Sequence, residues 1–318
     1  MTQIWPTAEA PLRIGTRGSP LALAQARETR QRLMDMHGFA AELFEVVVIK
    51  TSGDRIQDKP LREVGGKGLF TKEIEEALLA GRIDIAVHSM KDMPVDQPGG
   101  LILDCYLPRE DVRDAFLSPS ADTLADLLPG ASVGTSSLRR KAQILYRRPD
   151  LNVVEFRGNV QTRLRKLEEG VATCTFLAMA GLVRLGMEEV ANSAISVNQM
   201  LPAIAQGAIG IERRHKDSSV KELLAPLHDF PTDHRVTAER AFLRKLEGSC
   251  QMPIAGLAEI SGSNLRLRGE ILRPDGSECL NHELSGPVDD ANALGIELAS
   301  VLLNEAGPYF FEEIHRSD

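Results

Sequence analysis

Short apolar runs alternate with polar loops and helix-patterned stretches through much of this 318-residue chain, and that alternation leaves few architectures open. Leu12-Arg13-Ile14 reads as a strand that leads through Gly15-Thr16-Arg17-Gly18-Ser19 into a helix reaching Leu33. Ser19 suits the N-cap and Pro20 the first helical position. Ile83 to Val87 is a second strand, ending in His88-Ser89-Met90-Lys91-Asp92 before Pro94. Ser132-Val133 runs into Gly134-Thr135-Ser136-Ser137 and a helix from Leu138 to Leu145. Val153 to Phe156 precedes Arg157-Gly158-Asn159, after which Val160, Leu164 and Leu167 fall at helical spacing. Cys174 to Ala178 is a further strand, with a helix to Leu185. Strands alternating with helices predict doubly wound α/β domains with largely parallel sheets. Ligands of such sheets bind beyond the carboxyl ends of strands, where the polar residues of this chain stand. The length predicts two or three domains.

Charge sharpens the picture. The whole chain carries -8, yet Arg139 to Lys166 holds nine Lys and Arg against Asp150 and Glu155, a local +7. Thr135, Ser136 and Ser137 lie where a helix begins, so backbone N–H groups and hydroxyls there can receive an anion. Arg139 and Arg140 fall in the first turn, where their charges oppose the helix dipole, and that placement favours a bound anion. Arg157 follows a strand end and Arg163 lies in the next helix. Arginine forks suit carboxylate or phosphate. Arg147, Arg148, Arg165 and Lys166 read as a solvated face. An acidic remainder and 4% aromatic residues argue against a nucleic-acid binder.

Other residues invite chemistry. Asp92 is a carboxylate at a strand end, able to stabilise a developing cation or shuttle a proton. His88 reads as a buried, hydrogen-bonded histidine. Gly65-Gly66-Lys67-Gly68, followed by Leu69-Phe70 and a helix from Thr71, has the makeup of a mobile cover over a cleft. Cys250 sits in Gly248-Ser249-Cys250-Gln251-Met252-Pro253, after a helix over about Ala238 to Leu246, where a permanent thioether needs no activating base. Cys105, Cys174 and Cys279 lie in apolar surroundings and read as structural. No Cys pair has metal-ligand spacing, and neither a Walker A nor a G-x-G-x-x-G pattern occurs. Met1 to Ala10 lacks the pattern of a secretory signal, and the uncharged run Val190 to Ile211 is interrupted by Asn, Gln and Pro. A reduced cytoplasmic protein, off the membrane, is the expectation.

Taken in order, Arg13 to Leu23, Val64 to Phe70 (VGGKGLF), Val87 to Asp92 (VHSMKD), Gly134 to Arg140 (GTSSLRR), Arg157-Gly158-Asn159, Leu201 to Gly210 (LPAIAQGAIG) and Gly248 to Pro253 (GSCQMP) closely resemble the porphobilinogen deaminase (hydroxymethylbilane synthase) family. The resemblance spans residues 12 to about 255. It implies a transferase that condenses four porphobilinogen units with release of ammonia, giving hydroxymethylbilane, on a covalently held dipyrromethane primer. By position in the motifs, Cys250 would carry the primer through a thioether. Asp92 would be the catalytic carboxylate. Ser89, Lys91, Thr135, Ser137, Arg139, Arg140, Arg157, Arg163 and Arg184 would bind the cofactor. Arg17, Ser19, Arg157 and Arg163 would bind substrate, and Lys67 and Phe70 would belong to an active-site loop. The implied fold has two periplasmic-binding-protein-like (type II) α/β lobes plus a smaller C-terminal α/β domain. Residues 1–107 with 208–225 form the first lobe, 113–201 the basic second lobe, and 230–318 the domain of the cysteine loop. The resemblance implies a monomer, with no metal. Glu63, Thr173 and Ala205 depart from the family pattern, where Lys, Asp and Gly are frequent. A non-catalytic two-lobed anion receptor is the alternative reading, disfavoured by the contexts of Asp92 and Cys250.

Overall fold

A computed structural model of the chain describes residues 5–55, 68–246, 252–307 and 310. Lys67, Glu63 and Cys250 lie outside the described residues. The described strands fall in three groups along the chain. The first comprises β1 (Leu12–Thr16), β2 (Phe44–Val48), β3 (Ile85–Ser89) and β4 (Leu101–Tyr106). The second comprises β5 (Asp114–Leu117), β6 (Ser132–Gly134), β7 (Asn152–Val154), β8 (Cys174–Ala178) and β9 (Ser193–Ala194). After them come β10 (Ile209–Arg214), β11 (Ile254–Ser261), β12 (Asn264–Leu272) and β13 (Cys279–Pro287). The helices are α1 (Pro20–His37), α2 (Ser52–Arg55), α3 (Lys72–Leu79), α4 (Leu138–Arg147), α5 (Val160–Glu168), α6 (Met179–Leu185), α7 (Ser218–Leu224), α8 (Phe230–Lys245) and α9 (Ala291–Ala306).

By contact the chain divides into two units, Met1–Glu110 with Ala208–Asp233, and Asp111–Gly207 with His234–Asp318. The first unit holds a sheet ordered β2-β1-β3-β10-β4, in which β1 runs parallel to β2 and β3 while β10 runs antiparallel to β3 and β4. Its core gathers Leu12, Ile14, Ile85, Val87, Ile209 and Ile211 with Ala26 and Leu33 of α1. Ser19 caps α1 by accepting from Ala22 N at 3.2 Å, Pro20 opens it, and Gly38 ends it in the left-handed conformation at φ 68°.

The second unit repeats the pattern as β7-β6-β8-β5-β9, with β6 parallel to β7 and β8, and β5 antiparallel to β8 and β9. Both sheets are therefore mixed rather than largely parallel. One strand in each, β10 and β5, reaches its sheet from another part of the chain, and it enters without the helical crossover that a parallel neighbour needs. Its apolar run looks like any other in the sequence, because a buried run carries no sign of strand direction. The third sheet, β11-β12-β13, is antiparallel throughout. Helix α9 packs on β12 and β13. Gly295 permits α8 to approach closely, since a Cβ there would lie 2.3 Å from the Ala238 carbonyl oxygen. Two α/β lobes and a smaller C-terminal layer are the fold class the sequence predicted. Helix α8 starts at Phe230, eight residues before its predicted start, where the Asp229 carboxylate accepts from Thr232 N at 2.8 Å.

Ala205 adopts φ 58°, and its N–H donates to Glu239 Oε2 at 2.6 Å. A Cβ in the left-handed region costs about 1–2 kcal/mol, partly offset by the greater unfolded-state freedom of glycine. Ala205→Gly is expected to raise stability by up to about 1 kcal/mol, read from the denaturant midpoint.

Candidate active site

In the first unit β3 delivers Ser89 at its carboxyl end, and a 3-10 turn, Met90–Asp92, follows at once. Met90 and Met93 are buried and anchor the turn, and Met90 N donates to Ala208 O at 3.0 Å. Gly210 of β10 leaves room for it, since a Cβ there would lie 2.3 Å from Met90 Sδ. Lys91 is half-buried, whereas the Asp92 side chain stays 40% exposed. A small cleft is lined by Arg17, Ser19, Gln25, Phe70, His88 and Asp92. Arg17 leaves the end of β1 with Nη1 4.0 Å from Asp92 Oδ2 and its guanidinium 4.2 Å from the centre of the Phe70 ring. The same guanidinium donates to Asp54, from Nε at 3.2 Å and from Nη2. Asp54 was not among the residues singled out from the sequence. The available signal was Thr51-Ser52-Gly53-Asp54, in which Thr51 Oγ1 donates to Asp54 Oδ2 at 2.8 Å. His88 is buried, as expected, and its Nε2 meets Glu212 Oε2 at 3.1 Å.

In the second unit the polar loop after β6 caps α4. Ser137 Oγ accepts from Arg140 N at 3.4 Å, and Thr135 Oγ1 accepts from Ser137 N at 3.1 Å. Each hydroxyl keeps its own proton to donate. Arg139 and Arg140 are buried around an internal anion, the Asp114 carboxylate at the start of β5. Arg139 Nη2 donates to Asp114 Oδ2 at 2.8 Å, and Arg140 donates to Oδ1 from Nη2 at 2.7 Å and Nε at 3.2 Å. Their remaining reach goes to the carbonyls of Leu201 and Phe176. The anion that the sequence pattern called for is thus supplied in part by the protein. Burial opposes ionisation of Asp114, but the two guanidiniums overcome it and hold its carboxyl at about 2. Burial pulls Arg139 the other way, below its ordinary value, and Arg140 adds to that pull, but a guanidinium starts so high that it stays charged.

Arg157 is half-buried just beyond β7, Arg163 in α5 donates from Nε to Gly158 O at 3.0 Å, and Arg184 in α6 donates from Nη2 to Gly207 O at 3.0 Å. Arg148, read from sequence as part of a solvated face, instead braces the fold through the carbonyls of Leu124 and Leu127 and through Asp150. Cys105 and Cys174 are buried, and burial pushes each thiol up to about 12, which leaves both unreactive.

The geometry can be set beside known proteins. The family model described as porphobilinogen deaminase, dipyromethane cofactor binding domain, matches residues 12–222, and that of the porphobilinogen deaminase C-terminal domain matches residues 234–304. A porphobilinogen deaminase of Paracoccus denitrificans (strain Pd 1222) is 64% identical over 312 residues, covering 98% of this chain and 99% of that one. The chain belongs to the porphobilinogen deaminase family. A chloroplastic porphobilinogen deaminase of Pisum sativum is 55% identical over 308 residues, 95% of this chain and 84% of its own. Among solved structures, the methionine-binding protein MetQ aligns at 13% identity and a TM-score of 0.43, covering 70% of this chain and 91% of its own.

Membership makes this chain a hydroxymethylbilane synthase, a transferase of tetrapyrrole biosynthesis. It condenses four porphobilinogen units with release of ammonia, on a dipyrromethane cofactor. The described residues fit that cofactor. Each pyrrole brings an acetate and a propionate, and the stretch from Arg139 to Lys166 offers a local excess of cation. Asp114 is one carboxylate between two guanidiniums, and Arg139 Nε is buried with no acceptor among the described residues. Glu270 is the next acid, and burial pushes its carboxyl above the ordinary range despite Arg147, Arg139 and Arg268. Among the described residues no helix is long and apolar enough to cross a membrane.

Proposed function

We propose that Asp92 is the catalytic carboxylate of this family member. The observation that carries the assignment is its setting, a carboxylate at the carboxyl end of β3, exposed to the cleft while Met90 and Met93 are buried beside it. A carboxylate there stabilises the positive charge that develops on porphobilinogen as its amino group leaves, and it takes up or returns a proton at Oδ. Arg17 and Ser19 bind a substrate carboxylate in the first unit, with Phe70 and Lys67 belonging to the adjoining loop. Lys67 lies outside the described residues and is assigned from the sequence motif. Ser89 and Lys91 bind the cofactor from the strand end. Thr135, Ser137, Arg139, Arg140, Arg157, Arg163 and Arg184 take its carboxylates, Arg157 and Arg163 serving substrate as well. When bound, the dipyrromethane supplies the pyrrole carbon to which the first unit is joined. The protein's part is to neutralise carboxylates, orient them and hold a proton at Asp92.

Cys250, also outside the described residues, is the proposed thioether attachment, on the strength of the Gly248-to-Pro253 motif. The intact mass of active protein is expected to exceed the mass of the sequence by one dipyrromethane, and Cys250→Ser is expected to remove the excess together with activity. Active wild-type protein weighing only the bare chain would overturn the assignment. We read the chain as three domains, residues 1–107 with 208–225, 113–201 and 230–318. We also read it as a cytoplasmic monomer that takes porphobilinogen and no nucleic acid, the local +7 serving carboxylates instead.

A further inference from the structure

Arg17 already has a carboxylate in its fork. Nε donates to Asp54 Oδ1 at 3.2 Å, Nη2 donates to the same oxygen, and the guanidinium plane is held against Phe70. Asp54 is itself fixed within the short helix α2, Ser52–Arg55. Thr51 Oγ1 donates to Asp54 Oδ2 at 2.8 Å, and Asp54 N donates back to Thr51 Oγ1 at 3.3 Å. Burial opposes its ionisation, but Arg17 and Thr51 together hold its carboxyl below the usual range, so it is an anion at neutral pH. Arg17 itself lines the cleft that also contains Asp92, with Nη1 4.0 Å from Asp92 Oδ2.

A guanidinium fork receives one carboxylate in the bidentate manner. The substrate brings carboxylates of its own, and these compete with Asp54 for the same donors. We infer that Asp54 is a specificity-determining residue that occupies the Arg17 fork as an internal stand-in for a substrate carboxylate and is exchanged for it when porphobilinogen binds. The inference rests on the assignment of Arg17 to substrate binding. Exchange leaves Asp54 with its Thr51 donors, so release does not strand a buried charge. It also sets a threshold. The free energy needed to displace Asp54 is charged to every ligand, so a simple carboxylate with no further contacts fails where one anchored by a whole pyrrole succeeds.

Asp54→Asn keeps the shape and removes the competing charge. The KM for porphobilinogen is expected to fall by about three- to tenfold, since a neutral amide oxygen holds the fork more weakly than a carboxylate does. The kcat is expected to stay within about twofold, because ground state and transition state gain equally. Inhibition by propionate should strengthen by a similar factor. Arg17→Gln is expected to raise KM, and adding Asp54→Asn in that background should change nothing further. A KM that is unchanged or higher in Asp54→Asn would overturn the exchange and make Asp54 a permanent tether. An unchanged KM in Arg17→Gln would instead remove Arg17 from substrate binding, which is a separate failure. If Asp54→Asn melts early, Thr51→Val, which removes the Oγ1 that steadies Asp54 once it leaves the fork, must shift KM upward, or the inference falls.

Discussion

Asp92→Ala should lower turnover about a thousandfold or more while leaving the protein folded. The size follows from what the carboxylate is asked to do. A charge aimed at a developing cation is worth two to three orders of magnitude in rate, and proton transfer through a positioned group adds about two to four. The intact fold follows from how little else Asp92 supports. Its side chain is 40% exposed, and its ion pair with Arg17 is 4.0 Å long. Such exposed pairs contribute about 0–1 kcal/mol. The turn is anchored by Met90 and Met93, which the substitution leaves alone. Thermal melting and bilane formation measured on the same preparation separate the two effects. Near-normal bilane formation would take Asp92 out of the mechanism, and early melting would mean that the turn depends on it.

Asp114 should behave in the opposite way, with the largest loss in stability. It is fully buried and receives Arg139 Nη2, Arg140 Nε and Nη2, and Gln206 Nε2 at 3.2 Å. Asp114→Ala leaves two guanidiniums buried without their counter-charge. Breaking a buried pair by removing one partner costs about 3–5 kcal/mol. In a unit of this size that corresponds to a melting temperature about 10 °C lower. Asp114→Asn keeps the shape and some hydrogen bonds, so its loss is smaller but of the same sign. The pH dependence has a defined direction as well. The folded-state value of about 2 lies below the ordinary value of 3.8, so the stabilisation is fully present above that ordinary value. It fades as pH falls through about 2, and it amounts to about 2 kcal/mol. Acid unfolding of wild type against Asp114→Asn would show it, the variant losing that part of the acid transition. Equal acid midpoints would mean that the arginine pair is held by the Leu201 and Phe176 carbonyls instead.

These expectations divide residues that looked alike in sequence. Arg139 and Arg140 share a motif with Thr135 and Ser137, and all four were assigned to an incoming anion. In the fold the arginines hold Asp114 as well, so a loss of function in an Arg140 variant has two possible origins. Melting data on that variant tell them apart. Arg17 likewise has Asp54 in its fork, which changes what its removal would mean.

Local signals were readable because they act within a few residues. The cap at Ser19, the strand at Cys174–Ala178 and the helix from Leu138 all stand where the chain pattern put them. So did the concentration of basic residues and the motif that ends at Asp92. Periodicity, capping and composition are properties of short windows, and one chain contains all the information they need. The family's motifs were equally local, and for that reason they survived as an identification.

What the sequence could not disclose are pairings between distant positions. Asp114 meets arginines 25 and 26 residues away, Arg17 meets Asp54 across 37, and His88 meets Glu212 across 124. The reversed direction of β5 and β10 belongs to the same class, since it depends on which distant strands each one meets in its sheet. A buried charge must find its counter-charge wherever the fold brings one, and no pattern along the chain names that partner. The residue types and their order therefore told which chemistry to expect, and tertiary packing chose which of the charged groups are already neutralised before a ligand arrives.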